Sequence, residues 1–291
     1  MEWKRIDIED KEIIDCFLKG KFENCDYNFT NQYIWSEGEK LEYIVKNDGD
    51  VLMIKSNFMG DNHFFLPFSK SGNIENIKKE IRCLLNQGYT ILQVPEKWEE
   101  ILREDFIMEE NRNSFDYVYN YKDLATLAGR KYSKKKNRIS QFLKRYPNYT
   151  YERITTENLE EIKNFQTIWC EDKECELVPV LRNENIGIKN VFKHYDKLDC
   201  IGGLLRVDGK VICYTIGEAI TDEYVQIHIE KGINEYVGSY QMINKLFLEK
   251  EFVGYKYVNR EDDFGNEGLR DAKLSYHPAF LLKKYVITGE K

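Results

Sequence analysis

The densest polar segment of the chain is Asn259-Arg260-Glu261-Asp262-Asp263-Phe264-Gly265-Asn266-Glu267-Gly268-Leu269-Arg270-Asp271-Ala272-Lys273. Carboxylates attract an amine, and guanidinium groups attract a carboxylate or a phosphate, so the mixture suits recognition of a zwitterion. Arg260, Glu261, Arg270 and Lys273 are the candidate binding groups, the last two sharing a helix face at i, i+3. Asp262 and Asp263 are candidate acceptors for the proton that an attacking ammonium must lose. A charged loop closed by its own salt bridges would have the same composition. A second stripe lies in residues 224–230. Val225, Ile227 and Ile229 point one way; Tyr224, Gln226, His228 and Glu230 point the other. Beside a cleft, Glu230 at the strand end is the better base and His228 a binding group; a strand with one solvated face reads alike. His228 has no partner at metal-ligand spacing, so no metal site is expected. Gly238-Ser239 opens a helix whose first N–H groups could face an anion, and Tyr240 in its first turn could reach the same place.

The charge is uneven. Net charge is −7, yet residues 124–151 hold eight basic residues and no acid. Within that block Lys131, Lys134, Lys135, Lys136 and Arg138 are candidate contacts to nucleic-acid phosphates, the alternative being a solvated helix face. The remainder of the chain carries 35 basic and 50 acidic residues, so binding to a polyanion would be local.

These groups need elements to hold them. A length of 291 residues fits two domains, and 42% apolar with 32% charged residues fits a packed core. There is no apolar run long enough to cross a membrane, and the acidic start MEWKRIDIEDKE is unlike a signal peptide. Seven scattered cysteines read as reduced thiols in a cytoplasmic protein. Cys170 and Cys175 straddle an expected helix end, which makes zinc there unexpected.

In the C-terminal half, strand 149–155, helix 157–169 and a helix near 184–196 lead to two strands joined at Asp208-Gly209, a strong hairpin signal. The 224–230 strand, helix 238–250, strand 255–259, helix 266–276 and strand 279–287 follow. The N-terminal half runs in similar order: strand 3–7, a helix, a hairpin at Asp48-Gly49, helix 74–88 ended by Gly88, strand 89–94, a helix and two strands. A boundary is expected near Pro147, giving domains 1–147 and 148–291. Three antiparallel strands followed by a strand–helix–strand crossover need a parallel pair. That order matches an α+β fold of two tandem GNAT-like acyltransferase domains, each a mixed, mostly antiparallel sheet flanked by helices. Its fourth and fifth strands splay to leave a slot for the acyl donor.

HIEKG (228–232), GSYQMINKLF (238–247) and YVNREDDFGNEGLRDAKLSY (257–276) resemble a bacterial domain family that includes the C-terminal domain of phosphatidylglycerol lysyltransferase. NFTNQYIW (28–35) and residues 115–143 extend the similarity over nearly the whole chain. The resemblance implies kinship with enzymes that move an aminoacyl group from a charged tRNA to an amine or hydroxyl. It points to Arg260, Glu261, Asp262, Asp263, Arg270 and Lys273 as the lining of a donor pocket. Aminoacyl-tRNA or acyl-coenzyme A is then a co-substrate, with no permanently bound cofactor, and the acceptor is a small molecule or peptide. Residues 231–239 lack a close glycine pair for pyrophosphate and contain Glu235, which disfavours coenzyme A. Three functions stay open: an aminoacyltransferase, an acetyl-coenzyme A-dependent N-acetyltransferase, and a non-catalytic small-ligand or RNA-binding module.

Overall fold

A computed structural model describes residues 2–58 and 60–291. Their strands form two mixed sheets. The first runs Lys4–Arg5, Glu42–Lys46, Val51–Phe58, Asp61–Phe65, Ile91–Pro95, Lys284–Glu290, Phe106–Glu110, with Phe68–Ser69 beside Val51–Phe58. The second runs Phe280–Leu282, Asp116–Asn120, Tyr257–Asn259, Tyr224–Gly232, Lys210–Ala219, Ile201–Val207, Tyr149–Arg153. Most neighbours are antiparallel; the parallel pairs are Asp61–Phe65 with Ile91–Pro95 and Tyr224–Gly232 with Tyr257–Asn259. Helices flank both sheets, as an α+β architecture of two GNAT-like units requires.

The expected boundary at 147 does not separate the sheets. Strand Asp116–Asn120 belongs to the second sheet, and strand Lys284–Glu290 returns to the first. The expected single strand 279–287 is split, its front part pairing with Asp116–Asn120 and its rear part lying between Ile91–Pro95 and Phe106–Glu110. Local apolar alternation shows that a segment is extended but not which partner it will find.

Two cores result. In one, Leu204, Tyr214, Ile216 and Ile229 of the second sheet join the N-terminal residues Phe17, Tyr33, Ile34 and Leu52. In the other, Leu205, Val225 and Ile227 on the opposite face meet Ile243 and Phe247 of helix Ser239–Glu251. Ile139 and Phe142 dock the basic helix Ser133–Arg145 onto that second core and leave most of its charges outside. Two glycines permit the closest approaches. A Cβ at Gly187, within helix Pro179–Lys193, would lie 1.8 Å from the Ile34 carbonyl oxygen of helix Phe29–Ser36. One at Gly238, with φ of +93°, would lie 2.3 Å from the Arg138 carbonyl oxygen.

The thiol expectation is corrected at one place: Cys170 and Cys175 are disulfide-bonded, their Cα atoms 5.1 Å apart. Helix Leu159–Asp172 ends between them, and Glu174 at φ 49° turns the chain back. Cys25, Cys200 and Cys213 are buried free thiols.

Candidate active site

The slot comes from unequal strand lengths. Tyr224–Gly232 has nine residues, but Tyr257–Asn259 has three and pairs only at Tyr224, Val225 and Gln226. Past Asn259 the chain turns away: the Asn259 side chain accepts the Glu261 N–H at 2.7 Å, and Glu261 and Phe264 adopt left-handed φ of 59° and 48°. Such conformations are uncommon outside glycine and mark a held loop. Between the parted strands lies a cleft of about 480 Å³.

Eight of the expected residues line it, seven of them the expected cleft groups His228, Glu230, Tyr240, Arg260, Glu261, Asp262 and Lys273. Lys135 joins them from the basic helix. The Arg260 guanidinium donates to Glu230 at 3.0 Å and lies over the Tyr276 ring at 5.0 Å. Asn244 is a second donor to Glu230 at 3.4 Å. Lys273, its pKa lowered chiefly by burial, donates to the carbonyl oxygens of Arg260 and Asp262 and so pins the loop. Burial pushes the Asp262 carboxyl up to about 7, Asp116 and Asp26 adding to the rise while the nearby Lys284 cation opposes it. A carboxyl that titrates near neutrality is suited to take and return a proton.

Asp263 and Arg270 are not among the cleft residues. Arg270 donates twice to Asp263, at 2.7 and 2.9 Å, and the Tyr117 hydroxyl donates to the same carboxylate at 2.6 Å. Burial raises the Asp263 pKa, but these donors and the Gly265 N–H outweigh it and hold the carboxyl down at about 2. The pair clamps the loop to strand Asp116–Asn120. Tyr240 lines the cleft with its hydroxyl occupied, since it accepts from the Gly232 N–H and donates to the Gly232 carbonyl, both at 2.9 Å. The Gly232 and Ser239 amides thus have internal partners and neither faces an oxyanion. On the basic helix and the turn before it, Lys131, Lys134, Lys136 and Arg138 are exposed; Lys131 pairs with Asp123 at 3.2 Å. Lys135 is half-buried, bonded to Ser275 at 2.6 Å, and its pKa is lowered to about 8 by burial and by Arg260 and Arg138.

His228 is held between two carboxylates. Its Nε2 is 3.1 Å from Glu218 and its Nδ1 3.2 Å from Glu261. Burial lowers its pKa, but the two acids more than reverse this and raise it to about 9. An imidazolium cannot accept a proton, so His228 organises the site. The groups that contact it are braced in turn from the N-terminal half. Thr30 donates to Glu218 at 2.9 Å, Asn28 donates to Gln226 at 2.8 Å, and Gln226 donates to Glu261 at 2.7 Å. Asn28 also caps helix Phe29–Ser36 by accepting the Asn31 N–H.

A further buried cation lies alongside. The Lys284 ammonium is 2.5 Å from Asp26, 2.7 Å from Asp116 and 3.2 Å from the Cys25 sulfur. Among the described residues, Cys25, Asp116 and Asp262 bring potential metal-ligand atoms within 4.8 Å of one another. The lysine already supplies those groups with the positive charge that a metal would bring.

A family model described as "Phosphatidylglycerol lysyltransferase, C-terminal" matches residues 19–288, and the chain belongs to that family. A conserved protein of unknown function from Bacteroides thetaiotaomicron is 32% identical over the whole of both chains, with a TM-score of 0.88. The C-terminal domain of a putative lysylphosphatidylglycerol synthetase from Agrobacterium fabrum shares the fold at 12% identity, covering 97% of this chain and 92% of that one, with a TM-score of 0.68. An uncharacterized protein of Mycoplasmoides gallisepticum is 27% identical over 182 residues; the match covers 61% of this chain and 57% of that protein's length. The chain is thus acyltransferase-like, on a tandem GNAT-like fold. Among the described residues, no helix is long and apolar enough to cross a membrane.

Proposed function

We propose that this protein is a cytoplasmic aminoacyltransferase that takes an aminoacyl ester from a charged tRNA and passes it to an amine or hydroxyl. The observation that carries this is the cleft between the parted strands, with Asp262 in its wall and Lys135 linking it to an exposed basic helix. The helix offers cations to donor phosphates, and Arg260, oriented by Glu230, offers a planar donor to the acyl ester. Asp262 takes the proton from the acceptor nitrogen or oxygen as that atom bonds to the acyl carbon. The ester C–O bond then breaks, and the proton passes from Asp262 to the departing ribose oxygen. The loop that presents these groups is held by Lys273 and by the Asp263–Arg270 pair, which limits reorganisation during the reaction.

The test is single-turnover discharge. A set of tRNAs charged with labelled amino acids is mixed with the protein and a small amine such as ethanolamine. Accelerated loss of the ester, with label appearing in an amide, supports the proposal. No acceleration with any charged tRNA, together with acetyl transfer from acetyl-coenzyme A, would replace it with an N-acetyltransferase. Binding of RNA without turnover of either donor would leave a binding module.

A further inference from the structure

Two buried reactive side chains meet behind the cleft, and neither is a reacting group in the proposed transfer. Cys25 lies in the segment ahead of helix Phe29–Ser36, and Lys284 opens the last strand, Lys284–Glu290. Both are buried, the lysine fully. The Lys284 ammonium donates to the Cys25 sulfur at 3.2 Å. Of the free thiols among the described residues, Cys25 is the one that accepts from a lysine. Its thiol donates to one Asp116 oxygen at 3.0 Å, and its backbone N–H donates to the other at 2.8 Å, so the sulfur is held in place. Asp26, 2.5 Å from the ammonium, completes the cluster. Cys25 and Asp26 also line a cavity of about 80 Å³ whose lining includes Phe264, 53% exposed at the surface. A water-sized group needs roughly 10–15 Å³ of such space, so hydrogen peroxide fits beside the sulfur.

We infer that Cys25 and Lys284 are a site of oxidative cross-linking, at which hydrogen peroxide joins the sulfur to the nitrogen as a sulfenamide. Burial and the nearby carboxylates keep the thiol protonated, so a base must take its proton as the sulfur reacts, and Asp116 is in place to do so. The sulfur attacks one peroxide oxygen. An S–O bond forms, the O–O bond breaks, and the departing hydroxide takes a proton from the Lys284 ammonium and leaves as water. Cys25 is then a sulfenic acid, Asp116 is protonated and Lys284 is a neutral amine. The amine attacks the sulfenic sulfur. An S–N bond forms, the S–O bond breaks, and the hydroxide leaves as a second water with the proton held by Asp116. The nitrogen gives its surplus proton to Asp26. One thiol, one ammonium and one peroxide thus yield one sulfenamide, two waters and one protonated carboxyl, the sulfur losing the two electrons that the peroxide gains. The flexible lysine stem closes the remaining gap without backbone movement. The link joins positions 259 residues apart and ties the segment ahead of helix Phe29–Ser36 to the strand that completes the first sheet. It also fixes the Cys25 carbonyl, which accepts from Asn28 and Gln226 behind the cleft. Thiols reverse such a bond, so the pair is a reversible oxidative lock between the two ends of the chain. It does not depend on acyl transfer.

The experiment treats the folded full chain with hydrogen peroxide, blocks the remaining thiols with iodoacetamide, and maps a proteolytic digest by mass spectrometry without reductant. The expected product is a Cys25 peptide joined to a Lys284 peptide, lighter than their sum by two hydrogens and parted by dithiothreitol. Its yield should fall at least about tenfold when the chain is unfolded in urea before the peroxide is added, because the two groups are then no longer neighbours. Cys25→Ser removes the sulfur, and Lys284→Arg keeps the cation but lacks the primary amine; neither should give the joined pair. Cys25 recovered as a free thiol after the exposed Cys16 and Cys83 have reached sulfinic acid overturns the inference. Cys25 carried to sulfinic acid with Lys284 unmodified overturns it as well, and so does an equal yield from the unfolded chain. These outcomes are read on the unaltered protein, so they decide the matter even where a variant fails to fold.

Discussion

Replacing His228 by Gln tests whether the second sheet is organised around a buried cation. The imidazole is fully enclosed and its two nitrogens face Glu218 and Glu261. Its pKa rises from 6.5 to about 9 on folding. At 1.36 kcal/mol for each pKa unit, that rise corresponds to about 3 kcal/mol of stability. Because the folded value is the higher one, the folded protein binds the proton more tightly than the unfolded chain. The contribution is complete below pH 6.5 and fades as pH climbs through about 9. Urea denaturation across pH 6 to 10 measures it. The unaltered protein should lose about 3 kcal/mol over that window beyond any loss in His228→Gln. The two stability curves, far apart at pH 6, should converge near pH 10. Parallel curves, or a gap below about 1 kcal/mol at pH 6, would mean that the ring is neutral and that the two carboxylates are held by other means.

Asp262→Asn should lower the transfer rate by about two to four orders of magnitude, the usual range for a lost general base. If the proposed transfer holds, the unaltered protein's rate should rise with pH through about 7, where Asp262 ionises, and the variant's profile should be flat there. Neutralising Lys134, Lys135 and Lys136 together should reduce the steepness of log K against log salt for tRNA by about 2 to 3, because every phosphate that a lysine no longer neutralises keeps its counterion; an unchanged slope would remove the basic helix from the donor site. Lys284→Met leaves Asp26 and Asp116 without their cation and should cost about 3–5 kcal/mol in a denaturant titration, whereas a loss under about 1 kcal/mol would show that those acids are not both charged.

Much of the cleft was legible in residue order because its signals are local. The alternation from Tyr224 to Glu230 marked a strand, and the dense loop from Arg260 to Lys273 followed a strand as a ligand loop should. The expected common face is corrected by a bulge at His228, which sends Ile229 to the first core while Val225 and Ile227 face the second, though His228 and Glu230 both still line the cleft. What spacing cannot tell is which way such a loop faces. Asp263 and Asp262 are neighbours, yet Tyr117 and Arg270 claim the first while the second reaches the cleft. The N-terminal contribution was hidden for a different reason. Asn28 meets Gln226 across 198 residues, and nothing in the sequence near either residue records the other. Lys284 likewise reads as one of two lysines on a strand, and only its partners at Asp26 and Asp116 make it an interior cation. The disulfide at Cys170 escaped because its closure depends on a left-handed residue, Glu174, to which no glycine or asparagine drew attention.

Strand Lys284–Glu290 lies between Ile91–Pro95 and Phe106–Glu110, and the latter has no other neighbour in its sheet. During synthesis, therefore, the early half leaves the ribosome with a gap that stays unfilled until about 180 further residues have been translated. The nascent chain must carry an open β edge through that interval, and the first sheet closes only when strand Lys284–Glu290 arrives to fill it.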